Sequence, residues 1–581
     1  MAAEIKIDKK TVRAFLEEGK VHQYLIPEYQ RPYAWSDDQI NTLYEDIMEF
    51  ATTDGGFDHP GATYFLGSIV SYENAEKGVL EIIDGQQRLT SLCLLLRAIY
   101  AKLEPQIAQS KVAKNLASQI EPALWKIDPR TGDVDRTKPL FRSEVISDGG
   151  NETIKYILMT GKIAEGAKDN YSKNYRKFNE LLEKTNRDTP LFIFDFVHAL
   201  LNQCIVLPIT ADTQDAALTI FSTLNNRGLP LSDADIFKAK IYSQLQHTGD
   251  EEKKASFVKE WKMLEARSEA ADESVQSLFY YDMFFERAKE KDQKSTTPGV
   301  RKFFLSDNAQ RLYSENLIGQ LGTIMTLFEF VNKGIIASDE SWMMDVEIAK
   351  SLDVLKSYPN EFWKYPVIAF YLKYHSQENF IKVFSCFLRR LIAYLLLKHF
   401  EMPTISAIKG DILKLDASII ESDHPVFAKN EIDCDKRDKL LPYIFVPHAK
   451  IVRMLLKLMA YERQDELLPS DWEVEHIFPQ RWETGYFSTV SDDEVRGLVE
   501  HLGNKVPLEK IKNIKASNGF FAEKKKQYQT SKIAIARDLC SNEKWGLEQI
   551  KIRDVHIADE VIDCLLSWIE KYDSGEDGDR G

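Results

Sequence analysis

The segment Trp472-Glu473-Val474-Glu475-His476-Ile477-Phe478-Pro479-Gln480, followed by His501-Leu502-Gly503-Asn504-Lys505-Val506-Pro507-Leu508 and then Asn513, constrains this chain more than any other stretch. The two pieces read as short strands. A proline-bearing turn leaves the first, and a helix follows the second. A carboxylate beside a histidine, with amides supplied downstream, suits a site that holds one metal ion and uses the imidazole to activate water. His476 is the natural base. Glu475 is the natural metal carboxylate, with Glu473 as a helper. Asn513 lies nine residues beyond Asn504, far enough for the strand to end and a helix to present its amide back at the metal. Asn504 then braces the loop between the elements through backbone hydrogen bonds. Oxygen and amide donors suit hard cations, so Mg2+ or Mn2+ is expected. The competing reading is a packed histidine beside a turn, with no chemistry.

The charge balance is awkward for binding phosphate: the chain of 581 residues carries a net charge of −15. Distribution matters more than the total. Residues 501–530 hold Lys505, Lys510, Lys512, Lys515, Lys524, Lys525 and Lys526 against only Glu509 and Glu523, whereas 471–500 is strongly acidic with Arg481 and Arg496 as its only basic side chains besides histidine. An acidic metal-binding edge beside a basic strip fits a site for nucleic acid. A solvated lysine-rich helix face fits the lysines equally well. The six cysteines are scattered with no close pair, which argues against a disulfide framework or a cysteine zinc site and suggests small buried hydrophobes. No apolar run reaches the length of a membrane span, and Met1-Ala2-Ala3-Glu4-Ile5-Lys6 lacks a signal-peptide core. A cytoplasmic protein without membrane partners is expected.

At about 100–200 residues per domain the length suggests roughly three domains. Strands are expected at 64–71 and 79–83, a buried helix at 87–103, a polar helical insertion at about 104–190, and a return strand at 202–210. A helix at 216–224, a turn at 225–228 and a helix start near Ser232 or Asp233 follow. From about 245 to 430 the pattern is helix after helix, including 257–289 and 380–400. The expected division is 1–245, a helical stretch 246–432, a C-terminal domain 433–570, and a disordered tail 571–581.

A second constellation lies near the N-terminus. Ile82-Ile83-Asp84-Gly85-Gln86-Gln87-Arg88 reads as strand, tight turn and helix start. Glycine permits the sharp turn, helix N-terminal amides favour an anion, and Arg88 adds a fork suited to phosphate. Asp84 could orient water or hold a metal bound to phosphates. No Gly-Lys-Ser/Thr is present there, so this is not a Walker motif. An ordinary strand–helix corner with a salt-bridged arginine is the alternative. Ile26-Pro27-Glu28-Tyr29-Gln30-Arg31-Pro32-Tyr33-Ala34-Trp35 adds Arg31 and aromatic rings. A base could stack on those rings, or they anchor the chain to the core. A third segment, 221–238, carries Asn225, Arg227, Asp235 and Lys238. Capping accounts for Asp233.

Glu-Val-Glu-His-Ile-Phe-Pro-Gln with the later Gly-Asn-Lys-Val and Asn resembles the HNH nucleases. It is similar to the HNH domain of RNA-guided CRISPR nucleases and, more closely, to the C-terminal domain of GmrSD-type restriction enzymes. Residues 518–528 share the second likeness. The Asp-Gly-Gln-Gln-Arg segment, with 26–35 and 221–238, resembles the GmrS-like domain over about residues 10–245. The resemblance implies an α+β, mainly helical protein: a ParB-like α/β N-terminal domain, a helical middle and a ββα-metal (HNH) C-terminal domain. It implies nucleoside triphosphate binding and hydrolysis by Asp84, Gly85, Gln86, Gln87, Arg88, Arg31, Asn225, Arg227, Asp235 and Lys238. It also implies His476 as base, Glu475 and Asn513 as metal ligands, and Asn504 in the same catalytic group. The third family position is often histidine and is asparagine here, which bears on metal preference. The implied activity is an NTP-regulated, metal-dependent DNA endonuclease of phage defence (type IV restriction) acting on modified phage DNA. The alternative is a nucleotide-dependent DNA-binding sensor whose HNH domain does not cleave. One HNH site cuts one strand per event, so a homodimer would suit double-strand breaks.

Overall fold

Two strands rich in β-branched residues form the centre of the first unit. They are β4 (Tyr64–Asn74) and β5 (Val79–Asp84), and they bury Ile69, Val70, Val79, Ile82 and Ile83. The computed structural model describes residues 5–145, 150–188, 193–214, 216–218, 220, 232–294, 296–429, 437–482 and 491–575. They fall in two compact units, Met1–Lys262 and Met263–Gly581.

The first unit is built on a seven-stranded mixed sheet. Its other strands are β1 (Ile5–Ile7), β2 (Lys10–Thr11), β3 (Gln23–Ile26), β8 (Phe141–Ser143) and β9 (Cys204–Ala211). The order is β1-β9-β4-β5-β3-β8, with β2 also on β9. β4 runs parallel to β9 and antiparallel to β5, while β3 runs parallel to both β5 and β8. β6 (Trp125–Ile127) and β7 (Val134–Pro139) form a separate antiparallel pair. The helix Gln86–Leu103 leaves β5 directly, and most of it is buried, including the apolar run Leu92–Leu96. Helices Lys111–Leu124 and Asn170–Asp188 pack on it. The stretch 104–190 therefore does more than the expected helical insertion: it supplies β8 to the main sheet and part of the core. β8 is three residues long, too short to show an alternation in sequence.

Among the described residues, the second unit is helical apart from one hairpin. The expected single helix 257–289 is two, Glu251–Ala270 and Val275–Lys289, because Ser274 caps a new start by accepting from the Ser277 amide. Helix Phe380–Glu401 packs on both Val346–Leu355 and the C-terminal helix Leu547–Ser574. The helices of 263–429 thus share a core with the C-terminal segment. That last helix runs to Ser574 and stops at Gly575 in the left-handed region (φ 68°), so residues 571–574 of the expected tail are helical, and 576–581 lie outside the described residues. Cys93 and Cys204 are buried as expected, whereas Cys386, Cys540 and Cys564 are half-buried. Among the described residues, no helix is long and apolar enough to cross a membrane.

Candidate active site

The hairpin pairs β10 (Trp472–His476) antiparallel with β11 (Lys505–Glu509), matching Glu475 to Val506 and His476 to Lys505. The helix Lys510–Ala516 follows at once and packs on both strands. His476 is the last residue of β10, and the chain then turns under Asn504. Asn504 is fully buried. Its Oδ1 accepts from the Phe478 amide at 2.6 Å and from Trp545 Nε1 at 3.3 Å. Its Nδ2 donates to the carbonyls of Phe478 (3.1 Å) and Val499 (3.0 Å). Asn504 thus braces the turn through four hydrogen bonds, as the sequence suggested. The turn is clasped from behind by helix Leu547–Ser574. Asp554 accepts from the Gly503 amide and lies 2.7 Å from His501 Nδ1. A Cβ at residue 503 would sit 2.5 Å from the Ile550 carbonyl, so glycine is required for this close approach.

Glu475 is buried, and two side chains converge on the same oxygen: Lys524 Nζ at 2.8 Å and Tyr528 OH at 2.9 Å from Oε1. Both come from helix Phe521–Tyr528, where the i, i+4 spacing puts them on one face. Lys524 also donates to the His476 carbonyl. Burial pushes the Glu475 carboxyl up, while Lys524 and Tyr528 pull it back. Burial likewise holds His476 below its ordinary value, against the pull of Glu500 at 3.6 Å from Nε2. The imidazole is thus favoured in the neutral form that a base needs. Gln480 Nε2 lies 3.3 Å from the same ring nitrogen. Lys505 Nζ, 3.0 Å from Oε2, holds Glu500 low against the upward push of burial. Glu473 sits apart, 3.6 Å from Arg453.

Asn513, half-buried on helix Lys510–Ala516, makes no side-chain hydrogen bond among the described residues. Asn513 and Glu475, the two residues expected as metal ligands, bring a carboxamide and a carboxylate, oxygen donors of the kind a hard cation takes. Mg2+ is commonly held by one or two carboxylates with water and phosphate completing its shell, so the donor chemistry fits. No group of three or more His, Cys, Asp and Glu side chains suited to a metal occurs among the described residues.

The N-terminal constellation lies where β5 meets helix Gln86–Leu103. Gly85 takes φ 85°, and a Cβ there would meet Ile69 Cγ1 at 2.9 Å. Asp84 is half-buried. Burial raises its carboxyl, and the Gly85 amide, Arg88 and Arg31 pull it down. Arg88 lies over Gly67, where a Cβ would come within 2.8 Å of the guanidinium, and donates to the Ser68 carbonyl at 3.1 Å. Gln86 is buried. Gln87 clamps the 26–35 segment, accepting from the Ala34 amide (2.8 Å) and donating to the Pro32 carbonyl (3.0 Å). Arg31 is exposed. Tyr29 and Tyr33 are core anchors; Tyr33 stacks on Tyr171 and bonds Ser91. Buried rings cannot stack on a base. Of the two expected capping residues, Ser232 is the N-cap and Asp233 the first helical residue, and Asp235 closes a capping box with Ser232. Lys238 is buried with its ammonium 5.8 Å from the Trp261 ring. Asn225 and Arg227 lie outside the described residues.

Residues 12–242 match the family model described as GmrSD restriction endonuclease, N-terminal domain, and residues 435–560 match that of the GmrSD C-terminal domain. Together they span more than half of the chain. The protein belongs to the GmrSD restriction endonuclease family. It is also similar, at 22% identity over 260 residues, to an uncharacterized protein of Methanocaldococcus jannaschii, a match covering 41% of this chain and 42% of that protein. The chain therefore spans less than half the length of this curated relative. In this GmrSD chain the motif reading missed what holds the site: Lys524, Tyr528, Glu500 and Asp554. Glu500 and Asp554 carry no local signal. The Lys524–Tyr528 spacing does carry one, a lysine and a phenol on one helix face, but its target is 53 residues away.

Proposed function

We propose that this GmrSD protein is a metal-dependent DNA endonuclease with an HNH site at β10–β11 and the helix Lys510–Ala516, regulated by a nucleoside triphosphate. The observation that supports it is a histidine favoured in its neutral form at the end of β10, beside a carboxylate oriented by Lys524 and Tyr528. His476 takes a proton from water as the water oxygen bonds to phosphorus and a phosphodiester P–O bond breaks. Glu475, through the oxygen not engaged by Lys524, and Asn513 would hold Mg2+ or Mn2+, which when bound would stabilise charge on the phosphate. Asn504 keeps the turn rigid. On this reading the β5–helix corner is a ParB-like nucleotide site in which Arg88, Arg31 and the helix amides face phosphate and Asp84 orients water. Asn225, Arg227, Asp235 and Lys238 belong to the same proposed site through the family resemblance. Acting in the cytoplasm against modified phage DNA, the enzyme would gate cleavage by nucleotide binding, which requires the nucleotide to prefer one arrangement of the chain. A homodimer would supply the second strand cut.

A second reading is favoured by the internal neutralisation of Glu475 by Lys524: a nucleotide-dependent DNA sensor that grips without cutting. Purified protein is incubated with glycosylated and unmodified phage DNA, Mg2+ or Mn2+ and NTP. Cleavage by the wild type that His476→Ala abolishes supports the nuclease. Equal DNA binding by both with no cleavage by either overturns it in favour of the sensor. Equal phosphate release by wild type and Asp84→Ala would remove Asp84 from the nucleotide site.

A further inference from the structure

The helix Lys510–Ala516 shows solvent a face that its packing does not explain. At roughly 100° per residue, the outward positions order around the helix as Lys510, Ile514, Ile511 and Lys515. These four residues are the exposed ones, whereas Ala516 opposite is buried and Lys512 and Asn513 are intermediate. Ile511 is 63% exposed and Ile514 67%. Single exposed apolar residues are ordinary. Here two adjacent β-branched side chains occupy the outward face of a short helix, where straight-chain polar residues would favour the helix more. They are bracketed by two lysines that form no ion pair among the described residues. Asn513 adjoins Lys510 on the same helix.

We propose that Ile511 and Ile514 form an apolar wedge that enters the DNA groove and unstacks a base step, while Lys510 and Lys515 hold the flanking phosphates. The proposal rests on the nuclease reading for its occupant, DNA. Charge complementarity supports that choice over a protein partner: the ridge is cationic on both sides in a chain of net charge −15. Side chains of this kind unstack steps and bend duplexes in proteins that approach the minor groove. Paired lysines contribute sequence-independent affinity that falls with salt. A wedge next to Asn513 would open the backbone at the place where the hairpin offers its metal donors. Ile511 and Ile514 are then positioning residues for the cleavage reaction.

The test uses the intact chain in EDTA, so that DNA is bound but not cut, with a mixed-sequence duplex carrying 2-aminopurine at internal positions. Wild type should raise the fluorescence of the unstacked base. Ile511→Ser/Ile514→Ser, shown to be folded by an unchanged melting transition, should lose that rise and bind at least five-fold more weakly with the same salt slope. Lys510→Gln/Lys515→Gln should keep the rise and lower the salt slope by about 2. Equal fluorescence and affinity for wild type and the serine variant overturn the wedge, as does absence of DNA binding. A serine variant that changes only the oligomeric state overturns it in favour of a contact between copies. Unstacking by a wild type that never cleaves when metal is restored overturns the nuclease reading and leaves the wedge standing.

Discussion

The two candidate sites pair a carboxylate with a cation in opposite ways. At the hairpin, Glu475 and Lys524 are both buried, and Tyr528 completes the bonding on the same oxygen. At the β5–helix corner, Asp84 faces Arg88 and the exposed Arg31, and Arg88 donates its hydrogen bond to the Ser68 carbonyl. The first arrangement is closed, because a buried charge without a partner is strongly destabilising. The second leaves Arg31 exposed to solvent, with Arg88 half-buried over Gly67. The hairpin carboxylate is neutralised within the fold, whereas the corner carboxylate has an exposed arginine beside it.

The sharpest way to break this contrast is Lys524→Met. If the Glu475–Lys524 pair organises the hairpin, the variant should lose about 3–5 kcal/mol of stability in thermal unfolding. The loss should also depend on pH. Without Lys524, burial pushes the Glu475 carboxyl further above its unfolded value. A carboxyl so raised favours the fold while protonated, so this part of the deficit should be absent below about pH 4 and grow as pH rises from there through the raised value. A pH-independent loss, or none, would show that the pair is not closed as described. Asn504→Ala should cost about 2–4 kcal/mol by leaving the Phe478 amide and Val499 carbonyl unsatisfied. It should disturb the hairpin without touching phosphate release.

Activity sharpens the comparison next. Burial holds His476 below its ordinary value, so the acid limb of cleavage should fall below about pH 6.5. Glu500→Gln removes a group that pulls His476 upward and should move that limb further to the acid side. A limb at or above pH 6.5 would mean that the ring is not held neutral. The smallest effect is expected at the open corner. Gln87→Ala should cost about 1 kcal/mol, since it removes two hydrogen bonds at a solvent-facing segment, yet should weaken nucleotide binding measurably by calorimetry. A change in stability with unaltered nucleotide affinity would make Gln87 a tether for 32–34 and nothing more.

Much of the local structure was legible in the residues. Asp84, Gly85 and the buried run to Leu103 announced a strand, a tight turn and a helix, and these appear as β5, Gly85 at φ 85° and Gln86–Leu103. Ser232 announced a cap, though its reciprocal partner is Asp235. Other features had no local signature. β8 joins the sheet with three residues because β3 offers it a parallel edge. The aromatic residues of 26–35 read equally as stacking surfaces or anchors, and only burial separates these roles: Tyr29 and Tyr33 are anchors.

Short-range spacing was enough to single out His476, Glu475, Asn504 and Asn513 as candidates, because strand, turn and helix follow from periodicity and turn chemistry over a few residues. What each of them does depends on groups distant along the chain. Lys524 and Tyr528 orient Glu475, Asp554 and Ile550 demand a glycine at 503, and Trp545 helps to fix Asn504. Those partners are chosen by burial. A polar atom taken out of water must find whatever donor or acceptor the packed core brings within reach, and which one that is cannot be read from neighbours in sequence.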